Sequence, residues 1–125
     1  MKLEDASIVV AGGRGLGGPD PFGLLEELAI LLGGSVGASR AACDAGWVDH
    51  SYQVGLTGKT IAPNLYITVG ISGASQHMAG CSGAKALVAI DRDGQANIFK
   101  DARYGVVGEW QEVLPAFIEE IRNLV

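Results

Sequence analysis

Residues 66–80 read YITVGISGASQHMAG, and this stretch decides the fold. Leu65–Val69 is a short apolar run suited to a buried parallel strand, Gly70–Gly73 a tight Gly/Ser turn, and Ala74–Ala79 the first turns of a helix. A strand that hands over to a helix through glycines is how α/β proteins build an anion site. Glycine has no Cβ, so backbone N–H groups come close to a phosphate, and the helix start adds unpaired donors and the positive end of its dipole. Ser72 supplies a hydroxyl. Gln76 and His77 fall in the first helical turn, where side chains reach past a bound phosphate. The same residues also read as an ordinary βα connection with a polar helix start, since short Gly/Ser turns are common.

The rest of the chain repeats the strand-to-helix alternation. Ser7–Ala11 is a buried strand, and Asp20 followed by Pro21 predicts an N-cap for a helix over Phe22–Leu32 that ends at Gly33-Gly34. Ser35–Ala38 is a second strand, and Ser39-Arg40 opens a short helix through Asp44. Asp49–Thr60 reads as loop. Beyond the central unit, Ala86–Ile90 is a strand, and Ile98–Phe99 and Tyr104–Val107 are short extended pieces. Glu109–Leu124 is an amphipathic helix that Pro115 is expected to bend or restart. Alternation of this kind predicts an α/β fold, a parallel sheet flanked by helices with its ligand at the carboxyl ends of the strands.

Composition bounds the function. The 125 residues suit one domain, 1–125, with a real core, and 48% hydrophobic against 18% charged residues fits a globular protein. A net charge of -5 without a Lys/Arg run argues against nucleic acid, and no apolar run predicts membrane insertion. Cys43 and Cys81 lie far apart, with no zinc-ligand spacing, so a metal site is not expected and a reducing bacterial or archaeal cytoplasm is. A Cys/His enzyme built on Cys43 or Cys81 with His50 or His77 lacks any nucleophile-elbow context.

Gly13-Arg14-Gly15-Leu16-Gly17-Gly18 satisfies G-x-G-x-x-G directly after a strand. In a dinucleotide fold of the usual kind the helix starts inside this motif, and an acid closes the second strand. Here Pro19 and Pro21 push the helix beyond the last glycine, and the second strand ends in Ala38-Ser39-Arg40. The motif is equally a turn that lets another chain or a cofactor come close. Arg14 is its one residue with obvious chemistry, a guanidinium that holds a phosphate or carboxylate.

Four separated segments would converge above such a sheet: Arg14, Ser39-Arg40, the loop Gln53-Val54-Gly55-Leu56-Thr57-Gly58-Lys59, and the turn from Gly70 through Ser72 and Gly73 to His77. Phosphate donors beside an aromatic-sized slot suit a dinucleotide.

The segments GGRGLG at 12–17, VGASRAACDAGW at 36–47, QVGLTGKTIAPNLYITVGISGASQHMAG at 53–80 and ALVAIDRD at 86–93 resemble the FAD-binding domain of the electron-transfer flavoprotein alpha subunit. The resemblance runs from about Ile8 to Pro115. It implies a Rossmann-like fold of the deoxyhypusine synthase-like NAD/FAD-binding kind, three layers with a parallel sheet flanked by helices. It also implies an FAD-binding electron carrier, not a substrate-converting enzyme, that takes electrons from a dehydrogenase and passes them to an oxidoreductase or quinone-linked acceptor. The beta subunit and the rest of the alpha subunit would be its partners. By the same resemblance, the backbone around Gly70, Ser72 and Gly73 faces the pyrophosphate, Ser39 bonds on the phosphate side, and Arg40 lies against the isoalloxazine ring. The Gln53–Thr57 loop, with Val54, Gly55 and neighbouring Gly58, follows the flavin edge, with the Thr57 hydroxyl near N5. Gln76 and His77 approach the N1/O2 edge or the ribityl chain, where Arg40 and His77 would favour the reduced flavin. His77, at a helix start, is expected to resist protonation.

Asp91 and Glu109 match adenosine contacts with departures: relatives usually carry Asn at the first position and Asp at the second. Arg103 stands where many relatives have Asp. The alternative reading is a non-redox module that holds AMP or a dinucleotide as a structural element.

Overall fold

In the computed structural model, which describes residues 2–125, five strands form one all-parallel sheet in the order β2-β1-β3-β4-β5. They are β1 Ile8–Gly12, β2 Ser35–Ala38, β3 Leu65–Val69, β4 Leu87–Asp91 and β5 Tyr104–Val107. The helices are α1 Phe22–Leu32, α2 Arg40–Asp44, α3 Ser75–Cys81 and α4 Trp110–Leu124. Side chains alternate across each strand, so β1 sends Val10 to one face and Val9 and Ala11 to the other. On the first face Val10, Ile67, Val69 and Ile90 meet Leu25 and Leu28 of α1 and Leu114 and Ile118 of α4. On the second, Val9, Ala11, Tyr66 and Ala89 meet Ile61, Cys81 of α3 and Ile98. With apolar cover on both faces the central strands are almost wholly apolar, and the one buried polar residue of β3 apart from the Tyr66 hydroxyl, Thr68, donates to Val88 O at 3.5 Å. This is the three-layer, Rossmann-like α/β arrangement expected from the sequence.

Four details differ. Asp20 does not cap α1 through its side chain; its carbonyl accepts from Gly23 N at 3.1 Å, and Pro21 occupies the cap position. Ile98–Phe99 is not extended but lies in a 3₁₀ turn, Asn97–Lys100, where the β-branched and aromatic side chains insert into the second core rather than into a sheet. The Asp49–Thr60 loop contains a 3₁₀ turn at His50–Tyr52, with the Asp49 carboxylate accepting from Ser51 N at 2.9 Å. Pro115 does not restart α4, which runs through it as one helix.

Candidate functional site

Strand order fixes where a ligand can enter. The chain leaves β1 toward β2 on one side and returns to β3 on the other, so the helices that follow β1 and β3 lie on opposite faces and a crevice opens at the carboxyl ends of these strands. A cleft of about 550 Å³ lies there. The loop after β1 contributes Arg14 and Gly15, the loop after β2 Ser39, Arg40 and Ala41, and the end of β4 Asp91 and Arg92. The turn after β3 supplies Gly70 through Ala74, with Gln76 and His77 beyond it, and the loop Gln53–Thr57 closes one side.

The G-x-G-x-x-G stretch is not a phosphate cradle. Gly13 N donates to Val69 O and Gly15 N to Gly70 O, both at 3.0 Å, and the following amides close a 3₁₀ turn on themselves. Its glycines serve close approach instead: a Cβ on Gly15 would stand 2.8 Å from Gly70 Cα, and one on Gly70 2.9 Å from Gly15 Cα. The two loops meet backbone to backbone, leaving Arg14 exposed at the rim.

Free donors come from the turn after β3. Among the described residues, the N–H groups from Ser72 to His77 make no hydrogen bond, and Met78 N is the first to find a helical carbonyl, Ala74 O at 3.0 Å. The turn is held from behind, where Asn97 Nδ2 donates to Gly73 O at 2.6 Å and Ile98 N to Ser72 O at 2.8 Å. A fixed run of unpaired amides suits a pyrophosphate.

The Gln53–Thr57 loop is docked on α3. Leu56 N donates to Gln76 O at 2.8 Å, and a Cβ on Gly80 would lie 2.4 Å from Gly55 Cα, so only glycine permits this approach. Gln53 is buried and its Nε2 donates to Thr57 Oγ1 at 2.9 Å. Thr57 therefore has its own proton free for an acceptor in the cleft. Ser39 is poised likewise: its Oγ accepts from Ala42 N at 3.3 Å as the cap of α2, which leaves its O–H to donate outward. Arg40 Nε rests on Asp44 Oδ2 at 3.4 Å, and the other oxygen of Asp44 lies 3.0 Å from His50 Nε2. The His50 hydrogen bond, ahead of the Arg40 charge, holds the Asp44 carboxyl below its ordinary value.

His77 is the one buried ionisable side chain of the cleft. Its Nε2 lies 2.8 Å from the Tyr66 hydroxyl, and the two rings stack with centroids 6.0 Å apart. Burial drives its pKa from 6.5 to about 4; the Val54 carbonyl pulls the other way without meeting hydrogen-bond geometry. His77 thus resists protonation as expected, but through desolvation, not through the helix start. Its Nδ1 is buried and has no partner.

Gly58 and Glu109 do not line the cleft. Gly58 packs its loop tightly, since a Cβ would sit 2.5 Å from Gln53 O. Glu109 borders a side recess of about 30 Å³ shared with Asp91 and Arg92. One oxygen of Asp91 is occupied by Asp93 N at 2.9 Å. Sequence reading passed over Arg92, although a cation directly after a strand end is the signal that singled out Arg14. Leu56, expected at the site only as part of its loop and given no role there, stands 68% exposed at the cleft. Neither cysteine meets a histidine: both are buried, burial raises each thiol to about 11, and Cys43 Sγ donates to Asp49 O at 3.6 Å. Among the described residues no group of three or more His, Cys, Asp or Glu side chains is placed to hold a metal ion, and no helix is long and apolar enough to cross a membrane.

The residues fit an FAD. Unpaired amides stand at one end of the cleft, hydroxyl donors and an arginine along it, and an orphaned buried nitrogen awaits an acceptor.

Comparison with known proteins agrees. Residues 2–82 match the family described as electron transfer flavoprotein FAD-binding domain. The chain is 56% identical over 124 residues to the electron transfer flavoprotein subunit alpha of Thermoanaerobacterium thermosaccharolyticum, which covers 99% of this chain and 38% of the relative. Against the subunit of the same name from Bacillus subtilis the figures are 53%, 99% and 38%, and against that of Megasphaera elsdenii 52%, 98% and 37%. The chain thus spans about two fifths of the length of these curated relatives. On this evidence of sequence and fold, the chain belongs to the electron transfer flavoprotein FAD-binding domain family.

Proposed function

We propose that residues 1–125 act as one FAD-binding domain that carries electrons and does not convert a substrate. It accepts them from a dehydrogenase and passes them to an oxidoreductase or quinone-linked acceptor, in the cytoplasm and in assembly with a beta subunit and the remainder of an alpha subunit. The observation that carries the reading is the cleft at the β1/β3 switch point, with the unbonded amides of Ser72–His77 at one end and the Thr57 hydroxyl on its wall. When bound, FAD supplies one- and two-electron chemistry at its isoalloxazine ring.

The chain's own residues bind and tune. The amides after Ser72, with Arg14, take the pyrophosphate, and Ser39 donates to its oxygens. Arg40 sets a positive charge beside the ring system and Thr57 offers its proton to a ring nitrogen. His77 Nδ1 faces an acceptor on the same ring system or its ribityl chain, as a neutral donor. Gln76 lies beside it, and Asp91, with Glu109 in the adjoining recess, meets the adenosine end. Visible absorbance tests the reading: the purified chain, mixed with FAD and freed of excess, is expected to keep a flavin spectrum that bleaches on reduction. A colourless protein would refute it.

A further inference from the structure

Tyr66 sits in the middle of β3, fully buried, on the face that α3 covers. Its hydroxyl has one hydrogen-bond partner, His77 Nε2 at 2.8 Å. Two arrangements satisfy that distance. If His77 Nε2 carried the proton, the Tyr66 hydroxyl hydrogen and the lone pair of His77 Nδ1 would both be buried without partners. If Tyr66 donates, His77 carries its proton on Nδ1 and only that one N–H lacks a partner within the protein, beside the Val54 carbonyl. The second arrangement leaves fewer unsatisfied groups. It also leaves a donor at a ring that borders the cleft.

We infer that Tyr66 is a positioning residue: by donating to Nε2 it holds His77 as the Nδ1–H tautomer, so that the cleft is lined by a neutral hydrogen-bond donor aimed at a carbonyl or hydroxyl acceptor of the bound flavin. Tyr66 touches no ligand and acts through His77 alone. The donor half of this inference rests on the FAD reading above; the tautomer half does not.

The test begins on the ligand-free chain with nitrogen-15 labelled histidine. At neutral pH the His77 resonances are expected to show a protonated Nδ1 and a bare Nε2, and Tyr66→Phe, whose dispersed amide spectrum checks that it folds, shifts the population toward Nε2–H. A wild-type Nε2–H tautomer, or one unchanged in Tyr66→Phe, would overturn the inference. FAD titration follows. Tyr66→Phe is expected to weaken binding about tenfold, the scale of one lost hydrogen bond. In a His77→Asn background, where the amide donates without a tautomer to fix, Tyr66→Phe is expected to have no further effect. Equal losses in both backgrounds would reduce Tyr66 to packing and refute its positioning role. A wild-type chain with the Nδ1–H tautomer that binds no FAD would overturn the FAD reading, and the donor role with it, while the Tyr66–His77 hydrogen bond stood.

Discussion

The Tyr66 hydroxyl lies 2.8 Å from His77 Nε2 and ties the middle of β3 to the first turn of α3, so one buried hydrogen bond joins the sheet to the wall of the cleft. Two neutral groups share it: burial lifts the Tyr66 hydroxyl well above its ordinary 10 and lowers His77 to about 4.

Stability should therefore depend on pH through His77. Unfolded, the imidazole takes up a proton below 6.5, whereas the folded chain takes it up only below about 4. The unfolded state binds more protons in that window, so stability is full above 6.5 and falls as pH drops toward 4, by on the order of 3 kcal/mol. Urea midpoints measured from about pH 7.5 to about pH 4 should show this slope in the wild type and lose it in His77→Gln. A parallel slope in both would assign the acid sensitivity to other groups.

Gly80→Ala should cost about 1–3 kcal/mol, because its Cβ has no room against Gly55 and the Gln53–Thr57 loop must lift off α3. Hydrogen exchange at the Leu56 amide, which bonds Gln76 O at 2.8 Å, should accelerate more than exchange within β1.

Pro115 points to an easy gain. It lies inside α4, is exposed, and cannot donate to the carbonyl of Gln111. Pro115→Ala should raise stability by about 1–3 kcal/mol, read as a higher melting temperature. An unchanged or lower value would mean that α4 needs the proline.

Arg40→Ala should lower the potential of bound flavin and weaken FAD binding about tenfold, whereas Asp44→Asn should do neither to the same degree. Spectroelectrochemistry of the loaded protein reads the first, and an unchanged potential in Arg40→Ala with FAD still bound would remove Arg40 from the tuning role.

Much of this architecture was legible because buried parallel strands announce themselves. Ile8–Ala11 is a continuous apolar run and Leu65–Val69 is apolar but for Thr68 and the Tyr66 hydroxyl, and each leads into glycines, Gly13 and Gly15 after β1 and Gly70 after β3, where the two loops touch. The Ser39 cap was legible from its residue type alone. Ile98–Phe99 misled because β-branched and aromatic side chains fill a core as readily from a 3₁₀ turn as from a strand. Strand order was not readable, since nothing local records which strand pairs β1. Nor was the Tyr66–His77 contact: it spans eleven positions and depends on which face of β3 Tyr66 takes. The same holds for the hydrogen bond from the Gln53 amide to Thr57 Oγ1, made between two residues that both line the cleft.

The most direct measurement is an amide nitrogen–proton correlation spectrum of the labelled chain during FAD addition. If the cleft at the carboxyl ends of β1 and β3 holds the cofactor, the largest shifts fall on Ser72–His77, with Ser39, Arg40 and Thr57 following. Shifts gathered instead around Lys85, Lys100 and Arg103, which line a separate cavity on the far side of Tyr66, would contradict the account.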